Sequence, residues 1–204
     1  MRSRILRVPA LSFVLTACCM TGNHHGEQKQ DMGNPPAAAM AHHENMWASV
    51  NTAVAVIYPT KGNSVSGAIT FTKTGDASVH IHGTITGLEP NSTHAFHIHE
   101  FGDSSAPDGM SAGGHFNPEG HKHGGPDAPE HHAGDLGNLT ADATGTATID
   151  LEVPGISIAG LKDPIIGRGV VIHAKPDDLV SQPVGNAGGR IGVGVIGIAK
   201  PSSK

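Results

Sequence analysis

The sequence predicts an all-β domain, a sandwich or Greek-key barrel of about eight antiparallel strands with two long loops. Three observations carry that expectation. Glycine (28) and proline (14) are abundant in the 204 residues, which suits short strands joined by tight turns. Apolar residues recur with period two in short runs separated by Gly, Asn and Asp. No run of helical period exceeds a couple of turns. Aromatic residues make up only 3%, so the core must be built mainly from Val, Ile, Leu and Ala.

The chain opens with Arg2, Arg4 and Arg7 followed by an apolar stretch from Val8 to Leu15. That stretch is far shorter than the roughly 20 residues a spanning helix needs, and reads as an export signal. It ends in Leu15-Thr16-Ala17-Cys18, which resembles a bacterial lipobox. Residues 1–17 are therefore expected to be removed and Cys18 to carry a lipid, leaving an exported protein, periplasmic or at the cell surface, anchored to a membrane. Only Cys19 would then remain, so no internal disulfide can form, which is unusual for an exported protein. Residues 18–48 read as a polar linker containing His24, His25, His42 and His43.

The β domain is expected over 49–204. Strand-like runs cover 52–58, 66–73, 78–86 and 93–99. In the third, Val79, Ile81 and Ile85 point one way while His80, His82, Thr84 and Thr86 point the other, so His80 and His82 belong to its wet face. Residues 100–132 then lack apolar periodicity, and a compact domain rarely keeps so long a loop without a functional reason. Strands resume at 146–153, 169–173 and 194–199, with a second Gly-rich loop over 174–190.

The net charge of −5 argues against a nucleic-acid binder. The 15 histidines point instead to metal chemistry. His97 and His99 alternate onto one face of a strand, with Phe96 and Ile98 on the core face. The long loop adds His115, His123, His132 and Asp135, a closed set of three nitrogens and one oxygen suited to tetrahedral, structural zinc. A metal there would order a glycine-rich loop. His173 joins His97, His99 and His115 as an all-imidazole set, which suits copper(II) best.

These segments resemble the copper/zinc superoxide dismutase family. Phe96-His97-Ile98-His99-Glu100-Phe101-Gly102-Asp103 is similar to its first signature, and Ser111-Ala112-Gly113-Gly114-His115-Phe116-Asn117-Pro118 to the segment carrying its metal-bridging histidine. His123-Gly124-Gly125-Pro126 and His132-Ala133-Gly134-Asp135-Leu136-Gly137-Asn138 resemble its zinc loop. Gly167-Arg168, Val170-Val171-Ile172-His173 and Gly185-Asn186-Ala187-Gly188-Gly189-Arg190 complete the pattern, in order, between 53 and 200.

The resemblance implies dismutation of superoxide to dioxygen and hydrogen peroxide by a redox-cycling copper joined through a histidine to a structural zinc. It implies copper on His97, His99, His115 and His173, and zinc on His115, His123, His132 and Asp135, with His115 bridging and delivering a proton. His121 and His131 compete for the zinc. The resemblance makes Asp177 the carboxylate that hydrogen-bonds histidines of both metals, and Arg190 the residue that docks superoxide. Lys175 would assist attraction of the anion, against Asp177 and Asp178. The sequence departs from the family at its disulfide, where Ser104 or Gly109 stands in the first region and Val193 in the second. Such a bridge is typically worth roughly 2–5 kcal/mol. Gly192 and Gly194 are expected to compensate in part by allowing close packing. A homodimer is left open, and a non-catalytic periplasmic copper- and zinc-binding protein is the alternative.

Overall fold

A computed structural model describes residues 47 and 49–200. Cys18, Cys19 and the histidine pairs His24-His25 and His42-His43 lie outside the described residues.

Nine strands follow one another among the described residues: β1 (Thr52–Pro59), β2 (Ser66–Gly75), β3 (Ser78–Thr86), β4 (Thr93–His99), β5 (Asp135–Thr140), β6 (Ala147–Pro154), β7 (Gly169–His173), β8 (Arg190–Val195) and β9 (Gly197–Ile198). Every strand pair is antiparallel, in the order β5-β4-β7-β8-β1-β2-β3-β6, with the short β9 beside β1. The two end strands β5 and β6 also meet, so the barrel is nearly closed. Closure matters because it removes exposed strand edges.

Alternation sets the inside. Along β3, Val79, Ile81 and Ile85 are fully buried while His82, Thr84 and Thr86 are exposed. Their partners on β2 follow, with Phe71 facing Ile81 in register. The core is aliphatic with few rings: Ile57, Ile69, Ile81, Ile85, Ile98 and Ile172 surround Phe71 and Phe96. Each such side chain contributes about 1.5–3 kcal/mol by leaving water.

Strand β4 departs from simple alternation, because all six residues from His94 to His99 are buried. Phe96 and Ile98 face the core as expected, while the long loop covers the histidine side. Phe116 donates its N–H to Ile98 O, Ile98 donates to Gly134 O, and Glu100 donates to Gly114 O, at 2.9, 2.9 and 3.0 Å. Two strand expectations also differ. No strand is expected between the long loop ending at 132 and the run beginning at 146, yet β5 lies there; sequence patterning misses it because Asp135-Leu136-Gly137-Asn138 has little β-branched character and Gly137 has φ 81. It is recruited by pairing with β4, His94 opposite Leu139 and His97 opposite Asp135, across an irregularity between Ala95 and His97. The expected last strand splits into β8 and β9, and β8 begins as early as Arg190.

Candidate metal centre

β4 delivers His97 and His99, β7 ends in His173, and β5 begins with Asp135. His115 follows a 3-10 turn over Met110–Ala112 and is held opposite His99 by a β-bridge. His123 and His132 come from the loop between. The result is two buried groups of four, His97, His99, His115, His173 and His115, His123, His132, Asp135. Within each group the ligand-type atoms lie within 4.8 Å of one another, and His115 belongs to both.

Hydrogen bonds on the outer side fix which nitrogen of each ring faces inward. His99 donates Nδ1–H to Gly113 O at 3.0 Å, and His173 donates Nδ1–H to Gly188 O at 3.4 Å. Their Nε2 lone pairs then face each other at 3.3 Å. His97 and His123 donate their Nε2–H groups to Asp177, at 2.8 Å to Oδ2 and 3.0 Å to Oδ1. That leaves His97 Nδ1 and His123 Nδ1 buried with no hydrogen bond, together with His115 Nε2. His123 Nδ1 is 3.0 Å from Asp135 Oδ2 without the angle of a hydrogen bond. Asp135 Oδ2 is anchored by the N–H groups of His132 and Gly124, while Oδ1 sits 2.7 Å from His115 Nδ1 and 3.2 Å from His132 Nδ1.

This arrangement fits two cations. Inward lone pairs without donors are costly in a buried site, at about 1–3 kcal/mol each. A cation between them removes that cost. The electrostatics agree: burial pushes His97 down to about 4 and His173 down to about 3, and holds His99 well below its ordinary value. Neutral imidazoles are the ligating form. Burial alone would raise the carboxyl of Asp135, but the His115 contact and the two N–H donors outweigh it and hold it well below the usual range. Asp177 is likewise held low against burial, by His97, the Leu179 N–H and His123.

Among the residues expected from the sequence, His121 and His131 do not join the second group. The His121 side chain is 42% exposed and its Nδ1 faces His131 O, while His131 Nδ1 faces His132 O. Arg190 donates from Nη1 to Gly109 O at 2.6 Å and from Nη2 to Gly113 O at 2.5 Å. Gly113 O therefore links the guanidinium to His99. Where the family's disulfide is absent, Val193 is buried in a small apolar cluster with Ala112 and Val171. Gly192 and Gly194 do pack closely: a Cβ at 192 would lie 3.0 Å from both Ile57 Cγ2 and Val65 Cγ1, and one at 194 would lie 2.5 Å from Val56 O. Asp178 accepts from Val180 N, Ser181 N and Asn186 Nδ2, so its charge is engaged within its own loop. Lys175 runs beside Gly188, whose carbonyl holds His173.

Sequence reasoning missed two positioning residues. Asn138 clamps Asp177 from both sides, donating to its carbonyl at 3.0 Å and accepting its N–H at 2.7 Å. Gln182 does the same to His123, accepting its N–H at 2.9 Å and donating to its carbonyl at 2.8 Å. Asn138 belongs to the segment His132–Asn138 that resembles the zinc loop, but no spacing rule pairs it with a residue 39 positions later.

Comparisons with known proteins agree with this geometry. A solved structure described as a crystal structure of the clock protein EA4 is similar to this chain, with 44% sequence identity and a TM-score of 0.66, covering 73% of this chain and 95% of that one. The model of the copper/zinc superoxide dismutase family matches residues 65–196, which include every residue of both metal-ligand groups. The chain belongs to the copper/zinc superoxide dismutase family, which binds copper and zinc.

Proposed function

We propose that the protein is an enzyme that converts two superoxide anions and two protons to dioxygen and hydrogen peroxide. In this reading His97, His99, His115 and His173 hold copper, and His115, His123, His132 and Asp135 hold zinc. The observation that carries it is His115, whose two nitrogens face one group each: Nδ1 toward Asp135, and Nε2 buried without a partner. A ring shared in this way is suited to hold a proton at one nitrogen and release it to a reacting anion. Copper supplies the one-electron chemistry, and zinc, having no accessible redox step, supplies structural charge.

The chain's own residues do the rest. Asp177 orients His97 and His123 together, and Gly113 O and Gly188 O orient His99 and His173. Arg190 is half-buried, and its guanidinium is fixed by two carbonyls, with the Asp108 carboxylate near enough to act on its charge. Such a charge attracts and orients a small anion, which the net charge of −5 does not. Lys175 adds local positive charge.

Superoxide consumption by purified protein, with copper and zinc counted on the same sample, tests the reading. Turnover that follows copper content and collapses in His173→Ala is expected. Full occupancy with negligible turnover would leave the second reading, a copper- and zinc-binding protein without catalysis. That reading is kept because the similar solved structure is described as a clock protein. Export and membrane anchoring through Cys18 rest on the lipobox-like Leu15-Thr16-Ala17-Cys18. Loss of lipid labelling in Cys18→Ser checks them. Exposed Phe101, Val195 and Ile198 offer apolar surface for a homodimer, which sedimentation checks.

A further inference from the structure

A second cluster of metal-ligating side chains lies on β3 and β6, strands that supply no residue to either group of the centre. The two strands pair with His82 opposite Asp150 and His80 opposite Glu152. Because alternate residues share a face, the histidines and both acids project from the outer wall of the barrel. Glu152 is engaged there by the hydroxyls of Thr74 and Ser78. The remaining three form a row, His82 beside His80 and His80 beside Asp150, whose ligand atoms do not all lie within 4.8 Å of one another as those of the two central groups do. His80 Nε2 lies 2.6 Å from Asp150 Oδ1, and the His80 and His82 rings are stacked with centroids 5.2 Å apart and planes 22° apart.

We propose that His80, His82 and Asp150 form a third, solvent-facing site for a divalent transition-metal ion, one that takes copper(II) more tightly than zinc. Two imidazoles at i and i+2 on one strand face offer adjacent nitrogen donors. Both side chains are on the exposed face, where rotation of the rings would bring them to one ion at about 2.0–2.1 Å. Asp150 already stands at hydrogen-bond distance from one of those donors, so the ion takes the place of a proton between them. Two nitrogens and one oxygen leave positions for water, so the bound ion exchanges readily, unlike one enclosed at the centre. The preference for copper follows the general affinity order for nitrogen and oxygen ligands.

Structural stabilisation is a poor account of the cluster. The His80 and Asp150 side chains are 36% and 78% exposed, and an ion pair at that exposure is worth about 0–1 kcal/mol. It leaves His82 with only its stacking contact on His80.

The site is tested on the full chain with the centre already loaded with copper and zinc. Copper(II) and, separately, zinc(II) are added by calorimetric titration to the natural protein, His80→Gln/His82→Gln and Asp150→Asn. Ions retained after dialysis are counted to show that the centre is intact in each. The natural protein is expected to bind one more equivalent than the double variant, with nitrogen hyperfine structure from that copper in its paramagnetic resonance spectrum. Asp150→Asn should weaken the site at least about tenfold. Equal stoichiometry and affinity in the natural protein and the double variant would overturn the proposal, the N-terminal histidines then accounting for any extra ion. An extra equivalent seen only at millimolar metal, an adventitious ion only, would overturn it as well.

Discussion

Six histidines of the centre look alike in sequence, and their outer partners distinguish them. His97 and His123 share Asp177, His99 and His173 each hold a backbone carbonyl, and His115 has both nitrogens turned inward. Asp177→Asn removes the carboxylate that sets two ring tautomers on opposite sides of His115. It should lower affinity at both groups by about 10–100-fold, read by competition with a chelator, while the fold is retained. Gly185 shows how tightly that carboxylate is enclosed. Its φ is 63, and a Cβ there would collide with Asp177 Oδ1 and lie 2.7 Å from His123 Nε2. Gly185→Ala should therefore reproduce the affinity loss of Asp177→Asn. An unchanged metal content would show that the loop has room to shift.

At the scale of elements, the centre is made where two loops meet β4 and β7, and hydrogen bonds do the holding. Arg190, the first residue of β8, reaches across to Gly109 and Gly113 on the far loop, and Thr60 Oγ1 donates to Arg190 O at 2.7 Å. In a domain with no cysteine, these bonds and the packing of Ala112 against Val171 and Val193 fasten the loop. Arg190→Ala should speed amide exchange over 105–114 and reduce the second-order rate with superoxide by about tenfold or more. Arg190→Lys should keep part of the rate, since the charge survives, but not the slow exchange, since the two-pronged donor does not. Equal exchange in natural protein and Arg190→Ala would assign the fastening to the apolar cluster alone.

The whole molecule carries a buried polar centre on a small aliphatic barrel, so its stability depends on protons and metals. With His97 lowered to about 4 and His173 to about 3 from an ordinary 6.5, the unfolded chain takes up these protons before the folded one. Their contribution to the metal-free fold is complete above about 6.5 and is lost as pH falls toward the folded values. The depressed carboxyls of Asp135 and Asp177 extend the loss in the same direction at lower pH. The thermal midpoint of metal-free protein should fall steadily between about pH 7 and pH 5, whereas a flat profile would contradict the burial of neutral imidazoles. Metal removal at neutral pH should lower the midpoint by about twenty degrees, since each of two ions at a thousandfold excess over Kd adds about 4 kcal/mol.

Strand-like runs bounded by turn residues were legible in the sequence, and β3, β4 and β7 have the bounds read there; in β3 alternation also fixes the buried face, because an alternating run has only one way to bury its apolar side, whereas β4 and β7 are buried on both faces. Ligand-type residues and their order were legible for a similar local reason: His97 and His99 sit two apart, and His132 sits three before Asp135. Other features needed the folded chain. β5 exists because β4 offers it hydrogen bonds, and its own residues have weak strand preference. The sequence already favours His123 and His132 over His121 and His131; what the folded chain adds is that their rings turn inward, while His121 and His131 face backbone carbonyls. The Asn138–Asp177 and Gln182–His123 clamps, and the meeting of His80 with Asp150, join residues 39, 59 and 70 positions apart. Contacts at that separation are set by strand pairing and loop closure, and no local pattern in the chain encodes them.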